Sequence, residues 1–381
     1  MQQIYLDNNA TTRIDPRVAE AMFECHRAGH VNPASQHRLG QTSRRTLENA
    51  RETVARVLGC RLSGMDADRV IFTSGGTEAN NLAIIGLAGS PPGRVIISAI
   101  EHPSVAVAAD YLAGRGFDVQ RLRVSREGVV ELDHLRLLLN DRTKLVSVML
   151  GNNETGCLQP VGEIAAICQS SGVPMHTDAV QAIGKMPVRF QELGVSALSL
   201  AAHKFHGPLG IGALLVQYDA SLEPILYGGF QQMGLRPGTE AVGLAVGLQT
   251  ALLLWEREAE QRQQRLRQLR NHFEDSIRRE LPNMVVIGGN SDRLPHTSNL
   301  SFPGVDRQAL FMALDTAGVA CSTGSACASG SSEPSPVLLA MGLLGDIVDG
   351  SLRFSLGADT TEAEIDEAVR RILRSIKELR R

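Results

Sequence analysis

Short apolar runs alternate with helix-period segments through the first two thirds of the chain. Residues 70–73, 94–98, 145–149, 174–177, 197–200 and 212–216 are runs of four or five mostly apolar positions. Helical periodicity marks 39–58 and 78–86. Continuous apolar strands separated by helices predict an α/β fold, with a mainly parallel sheet covered by helices on both faces. The texture changes after about residue 250. Residues 256–281 form a long charged helix whose Leu266, Leu269, Phe273 and Ile277 share one face. A last helix opens on Thr361-Glu362-Ala363-Glu364, a capping-box pattern, and carries Ile365, Val369, Ile372 and Ile376 on one side. The pattern predicts a large domain over 15–250. A smaller α+β domain, 251–381, is joined by residues 1–14.

Composition narrows the class. The chain has 381 residues, 43% hydrophobic and 21% charged, which suits a soluble globular core. Lys and Arg number 38 against 41 Asp and Glu, a net charge of −3 that gives no overall pull toward nucleic acid or an anionic membrane. Five arginines between 257 and 270 read as a solvated helix face. No apolar run approaches the roughly 18 residues of a membrane helix, and the opening Met1-Gln2-Gln3-Ile4 lacks a signal-peptide pattern, so a cytoplasmic protein is expected. The six cysteines (25, 60, 157, 168, 321, 327) form no CxxC pair and read as reduced thiols.

Three features point to one chemistry. Lys204, in Ala201-Ala202-His203-Lys204-Phe205-His206-Gly207, follows a predicted strand. Asp178 lies just past another, where parallel sheets place ligands. Thr73-Ser74-Gly75-Gly76-Thr77-Glu78 reads as strand, glycine turn and helix start, which aims backbone N–H groups at an anion. An amine for a Schiff base, a carboxylate for a pyridinium nitrogen and a phosphate cradle together suit pyridoxal phosphate. Cys327 sits in Ser322-Thr323-Gly324-Ser325-Ala326-Cys327-Ala328-Ser329-Gly330, small residues with little to pack. That context reads as an exposed loop bearing a nucleophile. Cys168 in its helix, Cys25 and Cys60 read as packing residues, and Cys321 as a resolving thiol or metal co-ligand at most. Arg353, in a short strand, is either a bidentate carboxylate ligand or an outward-facing strand residue.

These residues resemble the cysteine desulfurases of the NifS/IscS type, within the class V aminotransferase-like, fold-type I pyridoxal phosphate enzymes. The resemblance runs through 5–12, 32–37, 73–81, Glu101-His102, 152–156, 176–181, His203-Lys204, 236–239, 324–327 and 352–357. It implies that Lys204 holds the cofactor, Asp178 pairs with the ring nitrogen, Gln181 bonds the phenolic oxygen, and His102 stacks on the ring and assists proton transfer. It assigns the phosphate to Thr77, Gly76 and His203, with Thr239 reaching the cofactor of a neighbouring subunit in a homodimer. Arg353 and Asn153 would grip the carboxylate of L-cysteine. Cys327 would attack the substrate sulfur, become a persulfide, and pass sulfur to an acceptor such as an iron–sulfur scaffold or thiolation protein.

The chain departs from the family pattern at several positions. Ala201 stands where many relatives have Ser, Leu209 where they have Lys, and Gln232 and Met233 replace a Glu-Arg pair beside Phe230. These changes predict weaker cofactor retention or an altered acceptor surface. Alternatives on the same scaffold are a selenocysteine lyase or a class V aminotransferase. A different class is a non-catalytic iron–sulfur scaffold with Cys321 and Cys327 as ligands.

Overall fold

The computed structural model describes residues 3–324 and 333–380. Seven strands form the main sheet, in the order 69–73, 212–216, 197–201, 175–178, 143–147, 94–98, 118–122. All run the same way except Gly212–Val216, which is antiparallel to both its neighbours. The strands Arg94–Ser98, Thr143–Ser147, Met175–Asp178 and Ala197–Ala201 are wholly or almost wholly buried because helices cover both faces, so none has an exposed polar face. One apolar cluster joins Val70, Ile96, Val146, Leu198 and Leu215 to the helices on one face. A second joins Ile71, Val95, Leu145, Ala197 and Leu214 to the helices Gly76–Ala88 and Pro103–Ala113 on the other. Successive residues of one strand thus point into different clusters, as a pleated strand requires. The edge strand Asp118–Leu122 escaped the sequence pattern because Asp118, Gln120 and Arg121 interrupt its apolar run.

A third cluster gathers Ile4 and Leu6 with Leu266, Phe273, Leu300, Phe354, Ile365 and Ile372. Strand Ile4–Tyr5 pairs in parallel with Val319–Ala320. Strands Val285–Val286, Thr297–Ser301 and Ser351–Ser355 make an antiparallel sheet beside them. The helix predicted from 256 starts earlier: it is one element, Val242–Glu280, of 39 residues. Its first turns escape the helical pattern because they are apolar almost all round. Gly243 and Gly247 lie one turn apart, and a Cβ on either would stand 2.7 Å from His26 Nε2 or Met22 Sδ. Those glycines let the helix Pro16–Arg27 lie close against it. Its second half carries Leu266, Leu269, Phe273 and Ile277 into the third cluster. The final helix, Glu362–Leu379, has the expected capping box between Thr361 and Glu364. Among the described residues, no helix is long and apolar enough to cross a membrane.

Candidate active site

The six same-direction strands of the main sheet end on one edge, and segments leaving that edge build the site. Strand Met175–Asp178 delivers Asp178 as its last residue. Asp178 is buried; its Oδ2 accepts from Asn80 Nδ2 at 2.7 Å and its Oδ1 from the Val180 N–H at 2.9 Å. With both oxygens held, the carboxylate has one orientation. Strand Ala197–Ala201 runs into a single 3₁₀ turn, Ala202–Lys204. The Lys204 Nζ donates to the carbonyls of Asn9 at 2.5 Å and Ala10 at 2.8 Å. Gln181 Nε2 donates to the same Asn9 carbonyl at 3.1 Å.

His102 caps the helix Pro103–Ala113, and its Nδ1 accepts from the Ser104 N–H at 3.1 Å. A nitrogen that accepts there leaves the proton of the neutral ring on Nε2. Burial holds His102 below the usual imidazole value, with Asp178 opposing and Lys204 reinforcing the shift. His203 Nδ1 lies 3.1 Å from Thr11 Oγ1. Burial, reinforced by Lys204, pushes its pKa down to about 4, so this ring is neutral near pH 7.

The glycine turn precedes the helix Gly76–Ala88, whose N-cap Gly75 makes no side-chain cap bond. A Cβ on Gly76 would stand 2.8 Å from Val180 Cγ2. A Cβ on Gly212 would stand 2.5 Å from Leu200 O and 2.7 Å from the Gly75 carbonyl carbon. The turn is therefore seated directly on the neighbouring strand. Glu78 secures it by accepting from the Ser74 N–H at 2.7 Å and from Arg236 Nε at 2.7 Å.

Two adjoining cavities result. One, of about 260 Å³, is lined by Gly76, Thr77, His102, Asp178, His203 and Lys204, with Asn153 and Gln181 completing its wall. The other, of about 610 Å³, shares His102, Asn153, Gln181 and Lys204 and adds Arg353. Arg353 is 2% exposed, so it is no outward-facing strand residue. Its Nη2 pairs with Asp7 at 2.7 Å, and its Nη1 donates to the carbonyls of Asn153 at 3.1 Å and Gly324 at 3.2 Å. Its Nε has no hydrogen-bond partner among the described residues. Eight of the predicted positions thus meet at one cavity and Arg353 at the next. Thr239 is exposed and lines neither cavity. Cys327 lies outside the described residues.

The other cysteines are buried. Burial pushes the thiols of Cys60, Cys168 and Cys321 up to about 12, far from the thiolate range of a nucleophile. Among the described residues, no group of three or more His, Cys, Asp or Glu side chains could hold a metal ion. Sequence reasoning missed Asp7, Asn9 and Asn80 as individual members of the site. The one local signal was Asn80, a polar residue buried in the helix Gly76–Ala88.

The description Aminotransferase class-V matches residues 4–368. The chain belongs to the class V aminotransferase family. It is 39% identical to the protein named cysteine desulfurase NifS of Azotobacter vinelandii over 386 aligned positions, covering all of this chain and 94% of that one. A solved NifS-like protein from Rickettsia africae ESF-5 superposes with a TM-score of 0.91 at 31% identity, covering 99% of this chain and 100% of that one. Another, described as SspA in complex with cysteine, gives 0.80 at 31% identity over 94% of this chain and 100% of that one. Family membership accounts for the mainly parallel sheet and for a site at its carboxyl edge, the arrangement of fold-type I pyridoxal phosphate enzymes.

Proposed function

We propose that this chain is a pyridoxal phosphate-dependent cysteine desulfurase that converts L-cysteine to L-alanine and takes the sulfur on Cys327. The observation that carries this reading is that the amine of Lys204 and the guanidinium of Arg353 line one cavity. The name of the Azotobacter relative and the cysteine described in the SspA structure support the substrate.

The residues present fit the cofactor. The oriented Asp178 carboxylate suits a protonated ring nitrogen, Lys204 supplies the amine, and Gln181 is an amide donor for a phenolic oxygen. Gly76 leaves no room for a Cβ beside Val180, so backbone rather than side chain faces the phosphate position, beside Thr77 and His203. Bound pyridoxal phosphate supplies an electron sink that acidifies the substrate Cα–H.

The chain's own residues do the rest. The Arg353 guanidinium and the Asn153 side chain hold the substrate carboxylate. Lys204 Nζ takes the Cα proton, and the neutral His102, with its Nε2–H, serves proton transfer at the substrate. Cys327 Sγ bonds to the substrate sulfur as the substrate's Cβ–S bond breaks. That electron pair stays on carbon, where the proton given up by the Cys327 thiol completes the methyl group; Lys204 returns its proton to Cα to give alanine, and Cys327 is left as a persulfide for an acceptor protein. A second copy of the chain is the proposed partner at Thr239. The exposed Tyr227 and Phe230 on the same segment give that contact an apolar surface.

The test is alanine and sulfide release from L-cysteine with a thiol reductant, alongside the absorbance spectrum. Cys327→Ala is expected to lose turnover and keep the cofactor band; Lys204→Ala is expected to lose both. Unchanged turnover in Cys327→Ala would move the reading to a lyase or transaminase.

A further inference from the structure

Asp178 and His102 are joined by a chain of hydrogen bonds. Asn80, on the helix Gly76–Ala88, and Ser104, in the first turn of the helix Pro103–Ala113, supply its links. Both are buried, Asn80 at 1% exposure and Ser104 at 7%. Asn80 Nδ2 lies 2.7 Å from Asp178 Oδ2 and 2.8 Å from Ser104 Oγ. Ser104 Oγ lies 2.8 Å from His102 Nδ1, which also accepts from the Ser104 N–H at 3.1 Å.

The first member gives this chain a direction. A carboxylate only accepts, so the amide turns its NH2 group toward Asp178. The reverse orientation would set Asn80 Oδ1 against a carboxylate oxygen. That Oδ1 has no partner among the described residues, so the two N–H bonds fix the amide. The second N–H of Asn80 fills an acceptor site of Ser104 Oγ. The Ser104 hydroxyl proton is left for His102 Nδ1, which thus meets two donors. A neutral ring so placed carries its proton on Nε2. Protonating Nδ1 would set its N–H against the Ser104 hydroxyl and amide protons.

We propose that Asn80 and Ser104 are positioning residues that relay the acceptor character of Asp178 to His102 and hold that ring neutral, with its proton on Nε2, for the proton transfer proposed above. The use of the relay rests on the pyridoxal phosphate reading: the carboxylate assigned to the cofactor's ring nitrogen also sets the proton on the imidazole. Burial lowers the ring's proton affinity too, while the charge of Asp178 raises it and that of Lys204 lowers it. Glu101, Arg121, Glu154, Glu333 and Arg353 line the larger cavity with His102, and His203 the smaller. All these groups are retained in the variants that follow.

The test is an NMR titration of the full chain labelled at histidine Cε1, with and without bound pyridoxal phosphate. The His102 signal is assigned by its loss in His102→Gln. Ser104→Ala takes one donor from Nδ1 and is expected to raise the proton affinity of His102 about tenfold, the worth of one hydrogen bond. Asn80→Ala lets the hydroxyl turn and accept from a protonated Nδ1, and is expected to raise it further. In the Ser104→Ala background, Asn80→Ala is expected to add nothing, because its effect passes through the missing hydroxyl. Ser104→Thr keeps the hydroxyl and is expected to titrate as the wild type does. In the loaded enzyme, the acid limb of kcat/KM for L-cysteine is expected to move up in pH with the His102 titration. A limb that stayed in place while the titration moved would overturn the relay's part in the reaction. A His102 titration unmoved by Ser104→Ala and Asn80→Ala would overturn this inference and leave the desulfurase reading standing. A wild type that binds no pyridoxal phosphate would overturn that reading, and the unloaded titrations would still decide the relay.

Discussion

Glu101 is buried beside His102 with one oxygen used and one idle. Its Oε1 accepts from Ser98 Oγ at 2.5 Å and from the Met149 N–H at 2.8 Å, while Oε2 has no partner among the described residues. Burial pushes its pKa from 4.5 up to about 8, against the pull of those two bonds and with Asp178 adding to the rise. A carboxyl raised on folding stabilises the native state fully below its unfolded pKa. That contribution declines as pH rises and is gone above the folded value. Between about pH 4.5 and 8 the wild type is therefore expected to lose stability that Glu101→Gln, which cannot ionise, retains. Each unit of pKa difference is worth about 1.4 kcal/mol. Melting temperatures from pH 5 to 9 check this, and parallel curves for the two proteins would sink it. Ala201 makes a second residue-scale case. Its Cβ lies 3.5 Å from where a Gly76 Cβ would be, beside the phosphate cradle. Ala201→Ser is expected to tighten cofactor binding by about 1.5–3 kcal/mol through one new bond to a charged group; equilibrium dialysis of the apoprotein measures it. Lys204, Asp178 and the glycine turn were legible because each has a local signature: a strand end or a strand–turn–helix. Asp7 was not, because its meaning depends on Arg353, 346 positions away.

At the scale of elements, the turn at 74–76 is held by its neighbours more than by its own bonds. Gly212→Ala would drive a methyl into backbone atoms of Leu200 and Gly75, neither of which is a flexible side-chain end. It is expected to cost at least about 3 kcal/mol, in the range of the larger single-residue effects, and to weaken cofactor binding; denaturant titration and cofactor titration read the two. The departure at Gln232 gains a role here. Its side-chain amide pairs with the edge strand Arg69–Thr73 as another strand would, accepting from the Phe72 N–H at 2.7 Å and donating to the Phe72 carbonyl at 2.9 Å. Arg51 Nη1 completes the contact at 3.0 Å. Gln232→Ala is expected to destabilise the chain by about 1–3 kcal/mol, the penalty of leaving such groups unpaired, with faster exchange of the Phe72 amide. By contrast, Leu209 is exposed and Met233 largely so, with no structural consequence evident. The elements read from apolar runs were legible because burial on both faces writes itself into composition. The first turns of Val242–Glu280 and the strand Asp118–Leu122 were not, because one is too apolar and the other too polar to show a period.

For the whole molecule, we propose the division into 15–250 and 1–14 with 251–381 as two structural units. Its support is that Ile4 and Leu6 pack with Leu266 to Ile376 and not with the main sheet's clusters. The helix Val242–Glu280, about 58 Å long at 1.5 Å per residue, links the two. Glu260→Pro, at an exposed position in mid-helix, is expected to cost about 3 kcal/mol. It is also expected to reduce turnover more than a destabilisation of that size elsewhere, since it uncouples Arg353 from Lys204. Turnover that tracks stability alone would count against the division.

Asn9 has a consequence for how the protein is made. Its N–H donates to Ser355 Oγ at 2.8 Å, its side chain reaches Thr297 at 3.0 Å, and its carbonyl receives Lys204 and Gln181. Chains emerge from the ribosome N-terminus first, at about 5–20 residues per second. Residue 9 therefore waits for residue 355 through nearly the whole of synthesis. The main sheet can form while the chain is still growing, but the clasp that holds Lys204 closes only near the end of translation. A nascent chain stalled before Ser355 would carry the sheet and the glycine turn with the Lys204 amine not yet secured.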